Sequence, residues 1–455
     1  MMLNIFCANA REKINRLMSV MLPIIGTQLA IMGMNFFDAS MSGQASDVDL
    51  AGAAIGGNIW MPIQAGVGGI LMAAMPLVAN YLGAGEKNKI AVVVRHGLLL
   101  AVIFSLIILG CGIAFLPPFL QNMSLEPEVY HVAVWYMAGL GMGVLPFFMI
   151  TPLRSLVDTL GYTYLTMKIY LLALPINACL NYAFIFGKCG LPRLGGIGAG
   201  VASGLTFWLL FVIFVFIVLR LEPFRQYHVL GWVKPKYQWL KDYLRIGVPM
   251  GFAIFMEASI FGVVALFIAK FGTEVIAAHQ AALNFSSVVY MIPMSFSLAL
   301  TIVVGVEYGA KNYRNAKDYV HLGLQLSLLI ASIYMLGEYF FREEIALIYT
   351  ENPKVINLVK AFLLYAIGWQ ALDAVAAPIQ GILRGYKDVD ATFYSNVLAY
   401  WGICLPLGLY LDYGLHQGAF AYWQSLDAGV LSSAVILVAR LWWLQKKIKR
   451  EALVE

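Results

Sequence analysis

Apolar stretches long enough to cross a bilayer recur twelve times along this chain, at about 16–38, 50–82, 91–116, 130–153, 165–186, 197–219, 243–269, 276–308, 319–340, 358–383, 392–411 and 418–441. A transmembrane helix needs about 20 predominantly apolar residues, and short links bearing charge, Gly or Pro separate each stretch from the next. The predicted fold class is an all-α integral membrane protein with twelve transmembrane helices. Composition agrees, since hydrophobic residues make up 61% of the 455 and charged residues only 12%.

Lys and Arg set the expected orientation. The groups at 1–16, 83–95, 154–168, 220–245, 311–317, 384–387 and 440–450 hold 24 of the 30 basic residues, so these segments and both termini are expected on the cytoplasmic side. Two of the opposite links carry acids instead, Asp47 with Asp49 and Glu126 with Glu128. The net charge of +5 thus reads as topology, and no nucleic-acid partner is expected. No small-residue cleavage site follows a short apolar region near Arg11, Lys13 and Arg16, so the first span is expected to be retained. Cys7, Cys111, Cys179, Cys189 and Cys404 are scattered and suggest neither zinc nor a disulfide framework. Neither H-E-x-x-H nor a phosphate-binding G-x-x-x-x-G-K-[ST] occurs, so the energy for any transport is expected from an ion gradient, with no cofactor.

The chain also repeats itself. A shift of 226 residues aligns Pro23 with Pro249, Ala51 with Ala277, Asn58 with Asn284, Gly83 with Gly309, Ala84 with Ala310 and Gly97 with Gly323. Further on, a shift of 224 aligns Gly161-Tyr162 with Gly385-Tyr386. Each half holds six spans, so the second re-enters in the orientation of the first, giving parallel repeats. The expected domains are 1–221 and 243–455, two six-helix bundles, with 222–242 as a cytoplasmic linker. The spacings Gly52 to Gly56, Gly139 to Gly143, Gly196 to Gly200 to Gly204, and Gly381 to Gly385 predict close helix approach.

Against this background three acids stand out. Glu257 has 11 uncharged residues before it and 12 after it, and Asp373 has 12 and 10. Asp427 has 14 residues without formal charge on one side and 12 on the other. A charge at mid-membrane costs roughly 2.5–3.5 kcal/mol, so such an acid faces a cavity, an ion path or a proton relay, unless a structural ion pair holds it. In an apolar cavity one carboxylate can hold a proton, a sodium ion or a cationic drug, and their mutual exclusion is antiport. Sodium would need further oxygens, for which Ser259, Ser286, Ser287 and Gln370 are candidates. Asp427 either lines a cavity or hydrogen-bonds Gln424 one turn earlier.

The segments Asn35-Phe-Phe-Asp38, Phe255-Met-Glu257, Ala277-Ala-His-Gln280, Asp373-Ala-Val and Leu383-Arg-Gly-Tyr-Lys-Asp388 resemble multidrug and toxin extrusion (MATE) transporters, specifically the NorM-like branch. The resemblance covers nearly the whole chain. It implies a V-shaped pair of six-helix bundles around a central cleft, exporting organic cations in exchange for sodium ions or protons by alternating access. It also implies that Glu257 and Asp373 form the coupling-cation site, that Tyr290 is a ring facing the cation, and that Asp38 is a further coupling acid with Asn177 as its amide neighbour. Asn181 stands where some relatives have a second acid, which speaks against a paired-carboxylate relay in this half.

The expected function is therefore a cation-coupled antiporter of the bacterial cytoplasmic (inner) membrane, working as a monomer on cationic amphipathic drugs and dyes. An alternative is a flippase for a lipid-linked precursor, which should show interior arginines to hold a diphosphate; the predicted spans lack them. No nucleophile, base or metal set lies at matching depth, so an enzyme is not expected.

Overall fold

The computed structural model describes residues 2–123, 125–231 and 234–451. In hydrocarbon a backbone N–H or C=O has no partner but another backbone group, and the regular elements among these residues are all helices. The first half contains α1 (Met2–Ala45), α2 (Asp47–Leu71), α3 (Ala74–Gly83), α4 (Lys87–Gln121), α5 (Pro127–Gly141), α6 (Val144–Thr159), α7 (Thr163–Phe186) and α8 (Gly196–Arg220). The second contains α9 (Tyr237–Ala269), α10 (Thr273–Gly309), α11 (Tyr313–Tyr349), α12 (Pro353–Gly385), α13 (Val389–Asn396), α14 (Leu405–Leu409) and α15 (Phe420–Glu451).

Proline explains two breaks that the first half has and the second lacks. Pro76 lacks the N–H that would bond the Met72 carbonyl, and its ring crowds that carbonyl, so the helix breaks between α2 and α3. Pro146 does the same to Met142, and α5 meets α6 at a bend of 44°. At a shift of 226 these prolines become Ile302 and Leu372, and α10 and α12 run unbroken. The first half thus holds six crossings, of which α2–α3 and α5–α6 are broken.

Among the described residues, ten helices are individually long and apolar enough to span, and the bent α5–α6 pair makes an eleventh. The predicted span at 392–411 departs from the expected continuous helix. It is built from α13, a π-helical turn over Val397–Cys404, α14 and a second π-helical stretch over Tyr410–Gly414. At the first of these, the Leu405 N–H reaches back five residues to the Tyr400 carbonyl. Such wider turns are common at functional positions.

Hydrogen bonding in the turns corrects the second repeat alignment. The N–H groups of Leu160, Gly161 and Tyr162 bond the carbonyls of Leu156, Asp158 and Val157, and those of Tyr386, Lys387 and Asp388 bond Ile382, Arg384 and Leu383. Gly161 and Lys387 both have positive φ, as do Gly85 and Lys311. The register is therefore 226 residues at this turn as well, and the match of Gly161-Tyr162 with Gly385-Tyr386 at 224 is one of sequence alone.

By contacts the chain forms two compact units, one of residues 22–82 and 86–251, the other of residues up to Met21 with 83–85 and 252–455. The divisions fall inside α1 and α9, close to Pro23 and Pro249, whereas chain order places the domain ends at 221 and 243. Basic segments gather at common ends within each unit. Lys13 pairs with Asp318 at 2.6 Å and Arg16 with Glu307 at 2.9 Å, while in the other unit Lys87 donates to Gln226 at 3.1 Å.

The glycine spacings do what small residues do between helices. A Cβ on Gly200 would collide with the Tyr136 carbonyl, one on Gly204 with the Gly139 carbonyl, and one on Gly381 with the backbone of Ser297. Gly381→Ala should destabilise the detergent-purified protein by about 1–3 kcal/mol in thermal unfolding, through overpacking. Gly110 faces open space, and Gly110→Ala should change stability by less than about 0.5 kcal/mol.

Candidate functional site

In the unit that holds residues 252–455, a chain of side chains leads to Glu257 on α9. Tyr290 on α10 donates its hydroxyl to Glu257 Oε1 at 2.9 Å, and Asn396, the last residue of α13, donates Nδ2 to Glu257 Oε2 at 3.2 Å. The same amide reaches the Ala253 carbonyl at 3.2 Å. Behind it, Gln380 on α12 donates to Asn396 Oδ1 at 3.5 Å, and Arg384 donates Nη2 to Gln380 Oε1 at 3.3 Å. Asn396 sits where the backbone enters its π-helical turn, and Trp401 in that turn donates to the Met256 carbonyl at 3.3 Å, one residue before the acid. The departure from α-helical winding thus presses two donors against α9.

Asp373 is buried on α12, with 5% of its surface exposed, and lies within range of the Glu257 charge. Trp369 is beside it, one turn earlier. Geometry thus brings Glu257, Asp373 and Tyr290 into one region. Of the oxygens considered for sodium, Ser259 and Ser287 donate to carbonyls of their own helices, at 3.1 and 2.8 Å. Ser286 and Gln370 are buried and have no hydrogen-bond partner among the described residues.

Arg384 corrects an expectation. The sequence places it with the cytoplasmic basic residues, yet it is buried, with 7% of its surface exposed, and close enough to Glu257 for their charges to interact. The expectation that no arginine lies inside therefore fails, because α12 stays packed on its neighbours to its last turn. Arg154 on α6 is likewise drawn inward. It bonds Asp158 at 3.2 Å and lies over the Tyr170 ring at 5.3 Å, while Thr166 donates to Asp158 at 2.5 Å.

The other unit holds the Asp38 cage. Asn181 on α7 donates Nδ2 to Asp38 Oδ1 at 2.5 Å, and Ser203 on α8 donates to Asp38 Oδ2 at 2.5 Å. Asn177, one turn from Asn181, accepts from it at 3.1 Å and donates to Thr206 at 3.3 Å. Asn181 thus makes the close amide contact with the acid, and Asn177 is a further amide neighbour of it, as the resemblance implies. Neutral donors hold Asp38 from two helices, with no base among the partners described.

Asp427 on α15 does not bond Gln424, whose amide instead donates to Tyr365 at 3.3 Å. Its Oδ1 is buried without a partner among the described residues, and its Oδ2 faces Gly368 on α12. The sequence gives no sign of Asn396, Gln380 and Ser203, which are ordinary polar residues within apolar spans. Glu338 was hidden differently. The predicted ninth span ends at 340, but α11 continues to Tyr349, which leaves Glu338 well inside the helix with 3% of its surface exposed.

Comparison with known proteins agrees with this architecture. The MatE family model matches residues 23–183 and again 249–410, two segments that begin at the two repeat-related prolines. The probable multidrug resistance protein NorM of Oceanobacillus iheyensis is 45% identical over 438 residues, covering 96% of this chain and 98% of its own. The crystal structure of the eukaryotic MATE transporter AtDTX14 superposes with a TM-score of 0.87 at 19% identity, covering 97% of this chain and 98% of its own. A crystal structure of MATE in the bent conformation gives a TM-score of 0.88 at 16% identity, covering 97% of each chain. Two six-helix repeats, buried acids in both halves and a full-length family match lead to one conclusion: this chain is an integral membrane transporter of the MATE, or multidrug and toxin extrusion, family.

Proposed function

We propose that the protein exports organic cations and drugs across the bacterial cytoplasmic membrane, in exchange for sodium ions or protons and by alternating access. Its termini lie on the cytoplasmic side, and one chain suffices. The observation that carries this reading is the charge count around Glu257. Acids outnumber bases here: Glu257 and Asp373 face one guanidinium, that of Arg384, and the carboxylates of Glu338 and Asp427 lie in the same unit. Unbalanced charge at this depth is costly, so the site favours one added positive charge, whether a proton, a sodium ion or a cationic drug. Because ion and drug draw on the same carboxylates, they compete there.

Tyr290 and Asn396 keep the Glu257 carboxylate oriented without neutralising it. Arg384 tempers the field of the two acids, so that a bound cation can leave again. A sodium ion would draw on Glu257 and Asp373, with Gln370 and Ser286 as the nearby oxygens whose bonding capacity is unused. Asp38 supplies a second acid for coupling, in a cage of neutral donors. A single buried arginine facing two carboxylates offers no net positive charge to a diphosphate, so Arg384 lends the flippase reading no support.

Proteoliposomes loaded with ethidium, under a sodium gradient and a proton gradient imposed separately, test this. Glu257→Gln and Asp373→Asn should each lower driven export by about tenfold or more, the size of a typical coupling energy. Full-rate export by both variants at normal expression would sink the assignment, and export under neither gradient would favour the flippase. Asp38→Asn should reduce export by about fivefold; an unchanged rate would reduce the Asp38 cage to a structural role. Arg384→Gln should tighten half-saturation by the coupling ion about tenfold, since it leaves two acids unopposed. Weaker half-saturation in a stably folded Arg384→Gln protein would show that the guanidinium does not temper the acids.

A further inference from the structure

The largest concentration of unpartnered buried polar atoms lies beside Asp373, on the side where α11 meets α12. Tyr334 and Glu338 are one turn apart on α11, and Trp369 and Gln370 lie one turn before Asp373 on α12. The Tyr334 hydroxyl, both carboxylate oxygens of Glu338, the Trp369 indole nitrogen and both amide atoms of Gln370 are buried and meet no hydrogen-bond partner among the described residues. Glu338 is 3% exposed and Gln370 4%. The Gln370 amide lies beside the Glu338 carboxylate and the Trp369 indole beside that of Asp373, each tempering the acid's charge, and Tyr334 is within range of the charges of both acids.

This arrangement contrasts with the rest of the interior. Glu257 and Asp38 have every carboxylate oxygen engaged by a donor, whereas Glu338 has neither oxygen so engaged. Packing alone gives no reason to collect donors and acceptors that do not meet one another, because each buried and unmet polar group is destabilising. Depth adds to the case. Glu338 lies one turn before the charged run Arg342, Glu343 and Glu344, so it sits toward one end of the apolar span, where an ion can reach it. One turn further, Phe341 leaves helical geometry with φ −101° and ψ 18°.

Resting on the coupling reading above, we infer that Tyr334, Glu338 and Gln370 form a second station for a monovalent cation, next to Asp373 on its route through this unit. The ligand is one positive charge that accepts oxygen donors, a sodium ion or a proton. A carboxylate with one amide and one phenol oxygen suits such an ion. No group of three or more His, Cys, Asp and Glu side chains among the described residues could hold a metal ion together, so a multidentate divalent site is not formed. The other acids facing this interior are Glu257 from α9, Asp373 from α12 and Asp427 from α15, and the base is Arg384.

The test is equilibrium binding to the detergent-purified full chain, read in two arms: radioactive sodium retained, and protons taken up or released in weakly buffered solution. Wild type is compared with Glu338→Gln, Glu338→Asp and Asp373→Asn, with thermal unfolding measured on each. Glu338→Gln is expected to weaken binding about tenfold in at least one arm, the usual scale of a lost coupling. Its unfolding midpoint should stay level or rise, since the amide is of the same shape, can still meet Gln370 and removes a buried charge. Glu338→Asp should recover most of the binding. Binding by Glu338→Gln equal to wild type in both arms overturns the station, and so does a lowered unfolding midpoint with binding intact. Loss in Asp373→Asn but not in Glu338→Gln would leave the coupling site standing and remove only the second station. Wild-type binding in Asp373→Asn would remove the coupling reading itself.

Discussion

A carboxylate surrounded by hydrocarbon and packed side chains must be given donors, a counter-charge or an ion, and the polar interior of this protein is organised around that requirement. The backbone has already closed its own hydrogen bonds within helices, so it offers few donors. Side chains must supply them, and they come from neighbouring helices. Asp38 is answered from α7 and α8, and Glu257 from α10 and from the α13 end. Such answers need helices that come close together, which is what the glycine contacts between α5 and α8 and between α10 and α12 provide. They also need local departures from regular winding, as where Asn396 enters a π-helical turn.

The acids are answered in three ways, each with a different mechanical meaning. Asp158 has a full counter-charge in Arg154 and a hydroxyl from Thr166, which makes it a fixed structural pair. Glu257 has neutral donors at short range and a guanidinium at longer range through Gln380 and Asn396. Glu338 has neither. A gradient runs from permanently neutralised, through partly balanced, to open, and only the last two leave room for a mobile ion to change the charge of the site.

Much of this was legible in the sequence, and the exceptions have physical causes. Lone acids in long uncharged stretches, as at Glu257 and Asp373, are visible because charge in hydrocarbon is rare. The repeat was visible because coincident Pro, Asn and Gly resist chance, although the turn after α6 needed backbone hydrogen bonds to set its register. Arg384 was misplaced because a base near a span end reads as a topology marker, and sequence does not say whether its side chain turns outward or back into the bundle. Glu338 was lost because Arg342, Glu343 and Glu344 follow it and make the span seem to end early. Asn396 and Ser203 gave no sign, since an amide or hydroxyl in an apolar helix has no distinctive spacing until a partner helix is placed beside it.

At the 226-residue register, Arg154, Asp158 and Tyr170 correspond to Gln380, Arg384 and Asn396. Both triplets are connected in the same order, the first residue touching the other two. One triplet carries a base and an acid that cancel, and the other carries a base alone, which reaches through two amides toward Glu257. Two identical chains associating as a symmetric pair would be bound to carry the same residue at both places. Joining the halves in one polypeptide removed that restriction, so one copy of an inherited frame was free to become inert scaffolding while its twin acquired an electrical task.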